Sequence, residues 1–333
     1  MMRAVVSELV GGPSALVVRD IPEPDVSDGS VVVDIHAAAV NFPDLLIIED
    51  KYQLRPPRPF TPGGEVAGLV RAVGGGVADL KPGDRVLAAV VTGGFAERVA
   101  VRSEACFRIP EAMPFDQAAS LLYTYATAYH ALVDRTQVHP GERLLVLGAA
   151  GGVGVAALQL GKAFGAEVVA AARGAERLAF CRQQGATHTI DYEKEDLKAR
   201  LKQLGGVDIV FDAVGGDFTE AAVRGLRPFG RLLVIGFAAG PIPRIPLNLV
   251  LLKECSLIGV QWGAFFMREP DAQRREVEAL LKLWEDGKIQ PQVDARFPLG
   301  QVAEALNALA ERRVRGKVVI VPDGVRSAEA RRA

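Results

Sequence analysis

Residues 144–160 read LLVLGAAGGVGVAALQL: an apolar run, a turn dense in glycine, and a second apolar stretch with helical spacing. A strand that ends in such a turn and opens a helix leaves backbone N–H groups facing outward, the arrangement that receives a pyrophosphate. Extended to Gly161, the run is uncharged and about long enough to cross a bilayer, but five glycines and Gln159 disfavour a membrane helix. Strand, loop and helix is the better division.

The flanking sequence repeats the pattern. Strand-like and helix-like stretches alternate: EVVAAAR with AERLAFCRQQG, HTIDY with KEDLKARLKQLG, DIVFDAV with FTEAAVRGLR, then RLLVIGF. Continuous apolar strands separated by amphipathic helices specify an α/β fold with a doubly wound parallel sheet, a Rossmann dinucleotide-binding domain, here expected over residues 122–263. Ala150, Gly151, Gly152, Val153 and Gly154 form the expected phosphate cradle. Gly151 lets backbone approach the pyrophosphate and Gly154 lets the helix pack on the strand, while Ala149 stands at the first glycine position.

The end of EVVAAAR selects the nucleotide. A carboxylate there accepts from a ribose 2′-hydroxyl, whereas a 2′-phosphate needs that acid absent and a cation near. This chain has Ala172-Arg173, with Arg177 one turn on and Tyr192 after the third strand, so NADPH is the expected cofactor.

Before residue 120 the chain consists of short apolar runs punctuated by Gly and Pro: RAVVSEL, ALVVRDI, SVVVDIHAAAV, GEVAGLVRAVG, GDRVLAAV, FAERVAV and ACFRI. This texture predicts a compact, mostly antiparallel β domain, followed by a first helix in DQAASLLYTYATAYHAL. The last segments, DAQRREVEALLKLWEDG, VAEALNALAERR and GKVVIVP, resume neither repeat and are expected to return to that domain, making it discontinuous over 1–121 and 264–333. The tail DGVRSAEARRA reads as a solvated end.

With 39 basic and 40 acidic residues the net charge is −1, which offers no field for nucleic acid or an anionic membrane. Cys106, Cys181 and Cys255 are widely spaced, with no C-x-x-C pair, so neither disulfides nor a zinc knuckle is expected. MMRAVVSELVGG lacks a secretory pattern, and a cytoplasmic location is expected. His36, His130, His139 and His188 are read as structural, and no G-x-S-x-G elbow suggests a hydrolase.

The segment GERLLVLGAAGGVGVAALQLGK, 141–162, resembles the signature of the zinc-independent quinone oxidoreductase (zeta-crystallin-like) family of medium-chain dehydrogenases/reductases. TPGGEVAG, LKPGDRV, GGFAERV, TAYHAL and GKVVI extend the resemblance over nearly the whole chain. It implies that the β domain is a GroES-like catalytic domain. The zinc ligands of metal-dependent relatives fall on Asn41, Gly64 and Tyr123, and only a short loop joining Val91 to Phe95 stands where those relatives carry a four-cysteine lobe. No metal is therefore expected, and Glu65 and Asp44 are read as hydrogen-bonding residues.

Asn41, otherwise an ordinary turn residue before Phe42-Pro43, is implied to face the nicotinamide and the substrate carbonyl. Tyr52 is implied as a cleft-lining hydrogen-bond or proton donor and Thr127 as a neighbour of the nicotinamide. Gly215, Gly236, Phe237, Gln261, Trp262 and Lys317 complete the expected cofactor contacts. The implied reaction is hydride transfer from NADPH to a quinone or an α,β-unsaturated carbonyl, small molecules whose conjugation spreads the developing charge. An enoyl-thioester reductase with Arg55, Arg58 and Arg244 at its lip, and a non-catalytic, crystallin-like NADPH-binding protein, are the alternatives. The apolar SLIGVQWGAFF suggests an edge strand that pairs with its twin in a homodimer.

Overall fold

The computed structural model describes residues 1–324, and the tail from residue 325 on lies outside them. The chain forms two units, Met1–Tyr123 with the segment from Pro291, and Thr124–Gln290.

Each of the seven early apolar runs is a strand: β1 (Met2–Ser7), β2 (Leu16–Ile21), β3 (Ser30–Val40), β4 (Glu65–Val73), β5 (Arg85–Ala89), β6 (Arg98–Arg102) and β7 (Cys106–Arg108). β1 and β2 form an antiparallel hairpin. The long β3 pairs antiparallel with both β4 and β6, and β4, β5 and β7 continue the sheet. Val33, Ile35, Val66, Val86 and Phe95 fill its core.

The second unit carries β8 (Arg143–Leu147), β9 (Glu167–Ala172), β10 (His188–Asp191), β11 (Val207–Asp212), β12 (Leu226–Val234) and β13 (Ser256–Gly259). They lie parallel in the order β10-β9-β8-β11-β12-β13. The strand order reverses between β8 and β11, the point at which doubly wound sheets open a crevice at their carboxyl ends. Four of the five residues of β8 and five of the six of β9 are buried, as a sheet covered on both faces requires. Among the described residues no helix is long and apolar enough to cross a membrane.

The chain then re-enters the first unit as β14 (Val293–Pro298) and β15 (Lys317–Val321). β15 pairs antiparallel with β3, Val318 opposite Val40, while β4 pairs on the other side with Glu65 opposite Ala39. The start of β15, the end of β3 and the start of β4 thus meet at one corner of the sheet.

Three expectations are corrected. The return begins at Pro291, not at 264, because the helices Trp262–Arg268 and Pro270–Glu285 belong to the second unit. Their anchors lie there: the Trp262 indole donates to Glu276 at 3.2 Å, and the Gln159 side chain both accepts from Gln290 N–H (2.7 Å) and donates to its carbonyl (3.0 Å). SLIGVQWGAFF is extended only over Ser256–Gly259, after which it turns into helix. DQAASLLYTYATAYHAL is not one α-helix: π-turns over Leu122–Ala126 and His130–Arg135 flank Thr127–Tyr129. Apolar spacing alone does not distinguish a helix that widens in this way.

Buried Gln159 also accepts from the Tyr125 hydroxyl at 2.8 Å. Gln159→Leu strands that hydroxyl and removes a partner from both Gln290 backbone groups, so it should cost about 2–4 kcal/mol, read as a lowered urea midpoint with unchanged slope.

Candidate functional site

In the second unit the cradle forms as its residues require. Gly148, directly after β8, has φ +73°, a conformation that disfavours any side chain, so the tight turn rests on Gly148 where the sequence pattern pointed to Ala149. A Cβ on Gly154 would lie 2.8 Å from Ala149 Cα, closer than real packing allows. Glycine there lets helix Gly152–Ala163 start tight against the turn. Its N-cap, Gly151, supplies no side-chain cap, and its first turn holds no acid. The N-terminal amides and the positive end of the helix dipole therefore suit a phosphate.

β9 ends in Ala172, and exposed Arg173 follows. Arg173 Nε pairs with Glu193 Oε1 at 3.0 Å. Asp191, at the end of the next strand, is buried and turned inward: its Oδ1 accepts from Gly174 N–H (3.1 Å) and Glu193 N–H (3.2 Å). Arg177 lies half-buried on helix Ala175–Gln183, and Tyr192 packs on Phe218 with ring centroids 4.8 Å apart. These residues fit a 2′-phosphorylated dinucleotide, because no carboxylate caps β9 and two guanidiniums follow it.

The loops after β11 and β12 run side by side. Gly215 N–H donates to Asp212 Oδ1 at 2.8 Å, and a Cβ on Gly215 would meet the Phe237 ring at 2.9 Å. Gly236 and Phe237 stand beside it, half-buried, at the carboxyl end of the sheet. Gln261 is exposed, whereas Trp262 is buried with its indole on Glu276, so of this pair only Gln261 presents its side chain outward. Thr127 is half-buried in this unit.

The first unit holds the denser polar group. Lys317 is only 4% exposed, and its Nζ donates to Asn41 Oδ1 (2.5 Å), Glu65 Oε1 (3.0 Å) and the Val40 carbonyl (3.2 Å). An ammonium has three donors, so none is left for an external phosphate. Asn41 Nδ2 donates to the same Glu65 oxygen at 2.9 Å, while Glu65 Oε2 accepts from Tyr123 N–H at 2.9 Å. Strand register explains the convergence, since these residues start β15, follow β3 and start β4.

Asn41 also begins the helix Phe42–Ile48. Its side chain is engaged by Glu65 and Lys317, and at the helix entrance Asp44 Oδ2 accepts from Asn41 N–H at 2.7 Å. Burial pushes the Asp44 carboxyl up to about 7, against the opposing pull of the Asn41 hydrogen bond and the Lys317 charge. Tyr52 is half-buried, and burial together with the Asp44 charge raises its pKa. Asn41 and Tyr52 thus share a neighbourhood around Asp44. That Lys317 faces inward is not readable from the sequence, where it only precedes the apolar run VVIV.

Comparison with known proteins agrees with this architecture. A family model described as "Alcohol dehydrogenase GroES-like domain" matches residues 27–111, and one described as "Zinc-binding dehydrogenase" matches 152–284. The chain is 38% identical, over 96% of its length and 88% of the relative's, to quinone oxidoreductase-like protein 2 homolog of Nematostella vectensis. The quinone oxidoreductase of Thermus thermophilus, solved also in complex with NADPH, is 35% identical with TM-score 0.85, over 96% of this chain and 100% of that one. That of Escherichia coli, complexed with NADPH, is 28% identical with TM-score 0.90, over 96% and 100%. The chain belongs to the quinone oxidoreductase family of the medium-chain dehydrogenase/reductase superfamily.

The zinc named in one of those descriptions does not fit the first unit's polar group. Gly64 offers no side chain, and a Cβ there would collide with the Tyr123 ring. Burial, then the Asp44 and Glu65 charges, raises the Tyr123 pKa, so it stays a neutral phenol. The Asn41 amide is committed, and an ammonium already lies within 3.0 Å of Glu65. Zinc requires thiolate, imidazole or carboxylate donors with an open position.

Lys317→Met leaves Glu65 buried without its cation and should destabilise the protein by about 3–5 kcal/mol in chemical denaturation, with Glu65→Gln added to it restoring part. Asp44 sets a pH dependence. A carboxyl raised from 3.8 to about 7 on folding binds more protons in the native state, so its contribution is full below pH 3.8 and is lost as pH rises to about 7. Asp44→Asn should flatten the stability–pH curve across that window.

Proposed function

We propose that the protein is an NADPH-dependent, zinc-independent reductase of quinones or conjugated enones. The observation that carries the reading is the replacement of a zinc-capable donor set at Asn41, Gly64 and Tyr123 by the internal Lys317–Glu65–Asn41 group. Without a Lewis acid, reduction favours an acceptor whose own π system spreads the incoming charge.

In this reading the Gly148–Gly154 turn holds the pyrophosphate, while Arg173 and Arg177 take the 2′-phosphate. The Arg173–Glu193 pair is half exposed, and such pairs are worth little, so re-pairing with a dianion costs little. Bound NADPH supplies a hydride. Tyr52, its proton held by a raised pKa, donates a hydrogen bond to the acceptor oxygen as charge develops there. Asn41 positions: clamped by Glu65 and Lys317, it holds Asp44, whose charge Tyr52 feels. Lys317 belongs to that internal group rather than to the cofactor contacts.

The enoyl-thioester alternative loses part of its basic lip. Arg58 is committed to Asp50 (2.9 Å) and the Ile48 carbonyl (2.8 Å), which leaves Arg55 and Arg244 exposed. We infer a homodimer formed at β13, an edge strand with Leu257 partly exposed, near which the helix Leu247–Lys253 leaves Leu247, Leu251 and Leu252 about 75% exposed. A cytoplasmic location completes the reading.

Steady-state assays test it: 1,4-benzoquinone should turn over with NADPH well above crotonyl-CoA, and the reverse ranking supports the thioester reading. Cofactor binding without oxidation by either acceptor contradicts both. Arg173→Ala with Arg177→Ala should raise the Kd for NADPH by about 10–100-fold and leave that for NADH nearly unchanged. Tyr52→Phe should lower kcat about tenfold or more at an unaltered NADPH Kd.

A further inference from the structure

The second unit contains a polar group that the proposed reaction does not use. His130 lies in the π-turn segment His130–Arg135, Asp134 lies four residues on, and Glu276 comes from the helix Pro270–Glu285. His130 Nδ1 is 2.7 Å from Asp134 Oδ2 and 3.4 Å from Glu276 Oε1, and one ligand atom from each residue lies within 4.8 Å of the others.

One imidazole nitrogen thus faces two carboxylates and has at most one proton to offer them. Glu276 is 4% exposed, and its Oε1, aimed into the group, is buried without a hydrogen-bond partner. Its other oxygen is held by the Trp262 indole N–H, and the Phe265 ring stacks on His130 with centroids 4.1 Å apart. A buried carboxylate oxygen left unsatisfied costs free energy unless something of positive charge completes it. With the imidazole neutral and both carboxyls ionised the group carries two negative charges, which one divalent cation cancels; without one, burial raises the Glu276 carboxyl to about 7 and, against burial, the facing carboxylates raise His130 to about 8, so protons hold the place.

We propose that His130, Asp134 and Glu276 form a divalent transition-metal site distinct from the reductive site, which ties the helices 262–285 to the π-turn segment. The donor set, one nitrogen and two oxygens, suits Zn2+ and its first-row neighbours. Ligands about 2.1 Å from a tetrahedral zinc stand about 3.4 Å apart. The His130–Glu276 separation already has that value. The His130–Asp134 contact, at 2.7 Å, must open by about 0.7 Å, and Asp134, whose side chain is 37% exposed, is the ligand with room to move. That exposure also gives the ion an entry path and a fourth, solvent position. The Trp262–Glu276 hydrogen bond and the Phe265 stack hold two of the ligands as an outer shell does in known metal sites.

Equilibrium dialysis of the chelator-treated full-length protein against ZnCl2, with metal counted by mass spectrometry and the melting temperature followed in parallel, tests the proposal. One Zn2+ per chain should bind and raise Tm. Glu276→Gln and Asp134→Asn should each weaken binding at least tenfold and abolish the Tm rise, whereas His188→Gln, altering a histidine–carboxylate pair elsewhere, should change neither. Should Glu276→Gln fail to fold, the more exposed Asp134→Asn still decides. No stoichiometric zinc in the wild type, or equal binding by Asp134→Asn, overturns the proposal and leaves a proton as the group's only occupant.

Discussion

A single buried ammonium organises the first unit. Lys317 is shielded from solvent, and its free energy depends on Glu65, Asn41 and the Val40 carbonyl taking all three of its donors. That requirement links β15 to β3 and β4, across more than two hundred residues of intervening sequence. Separating such a group from its carboxylate is costly, which makes the corner rigid. Asn41 is oriented by it, Asp44 is desolvated beside it, and Tyr52 feels Asp44.

A fixed internal cation differs chemically from a catalytic metal. Zn2+ with an open position binds a substrate oxygen directly and polarises it. An ammonium with its donors already taken contributes field and geometry but no coordination. In the proposed reading the acceptor therefore carries its own electrophilicity, and Tyr52 hydrogen-bonds the reduced oxygen. In the second unit the corresponding constraint is backbone: the tight turn at Gly148 and the close approach at Gly154 fix where the helix Gly152–Ala163 begins.

Much of the fold was legible because the signals are local. All seven early apolar runs became strands, and the alternation from residue 143 became a parallel sheet in the order expected of a Rossmann domain. The glycine-rich turn was legible for the same reason, since its glycines from 148 to 154 lie within seven residues. What escaped was long-range. Lys317 reads in sequence as one more lysine before an apolar strand, and only its pairing with Val40 and Glu65 across the sheet turns it inward. Asn41 read as a turn residue or a substrate contact, and nothing local announces that sheet register also brings its amide to Glu65 and Lys317. The end of the second unit was drawn too early because Trp262 and Glu276 meet through the tertiary fold, and the π-turns around Tyr123 and His130 leave no mark in apolar spacing.

The first unit's polar group is expected to work without a coordinated metal. The most direct measurement is turnover of 1,4-benzoquinone with NADPH by protein stripped of metal, its residual content verified below a few per cent of a molar equivalent. Full activity, unaltered when Zn2+ is returned, is the result predicted. Activity lost on stripping and restored in proportion to added zinc would contradict it.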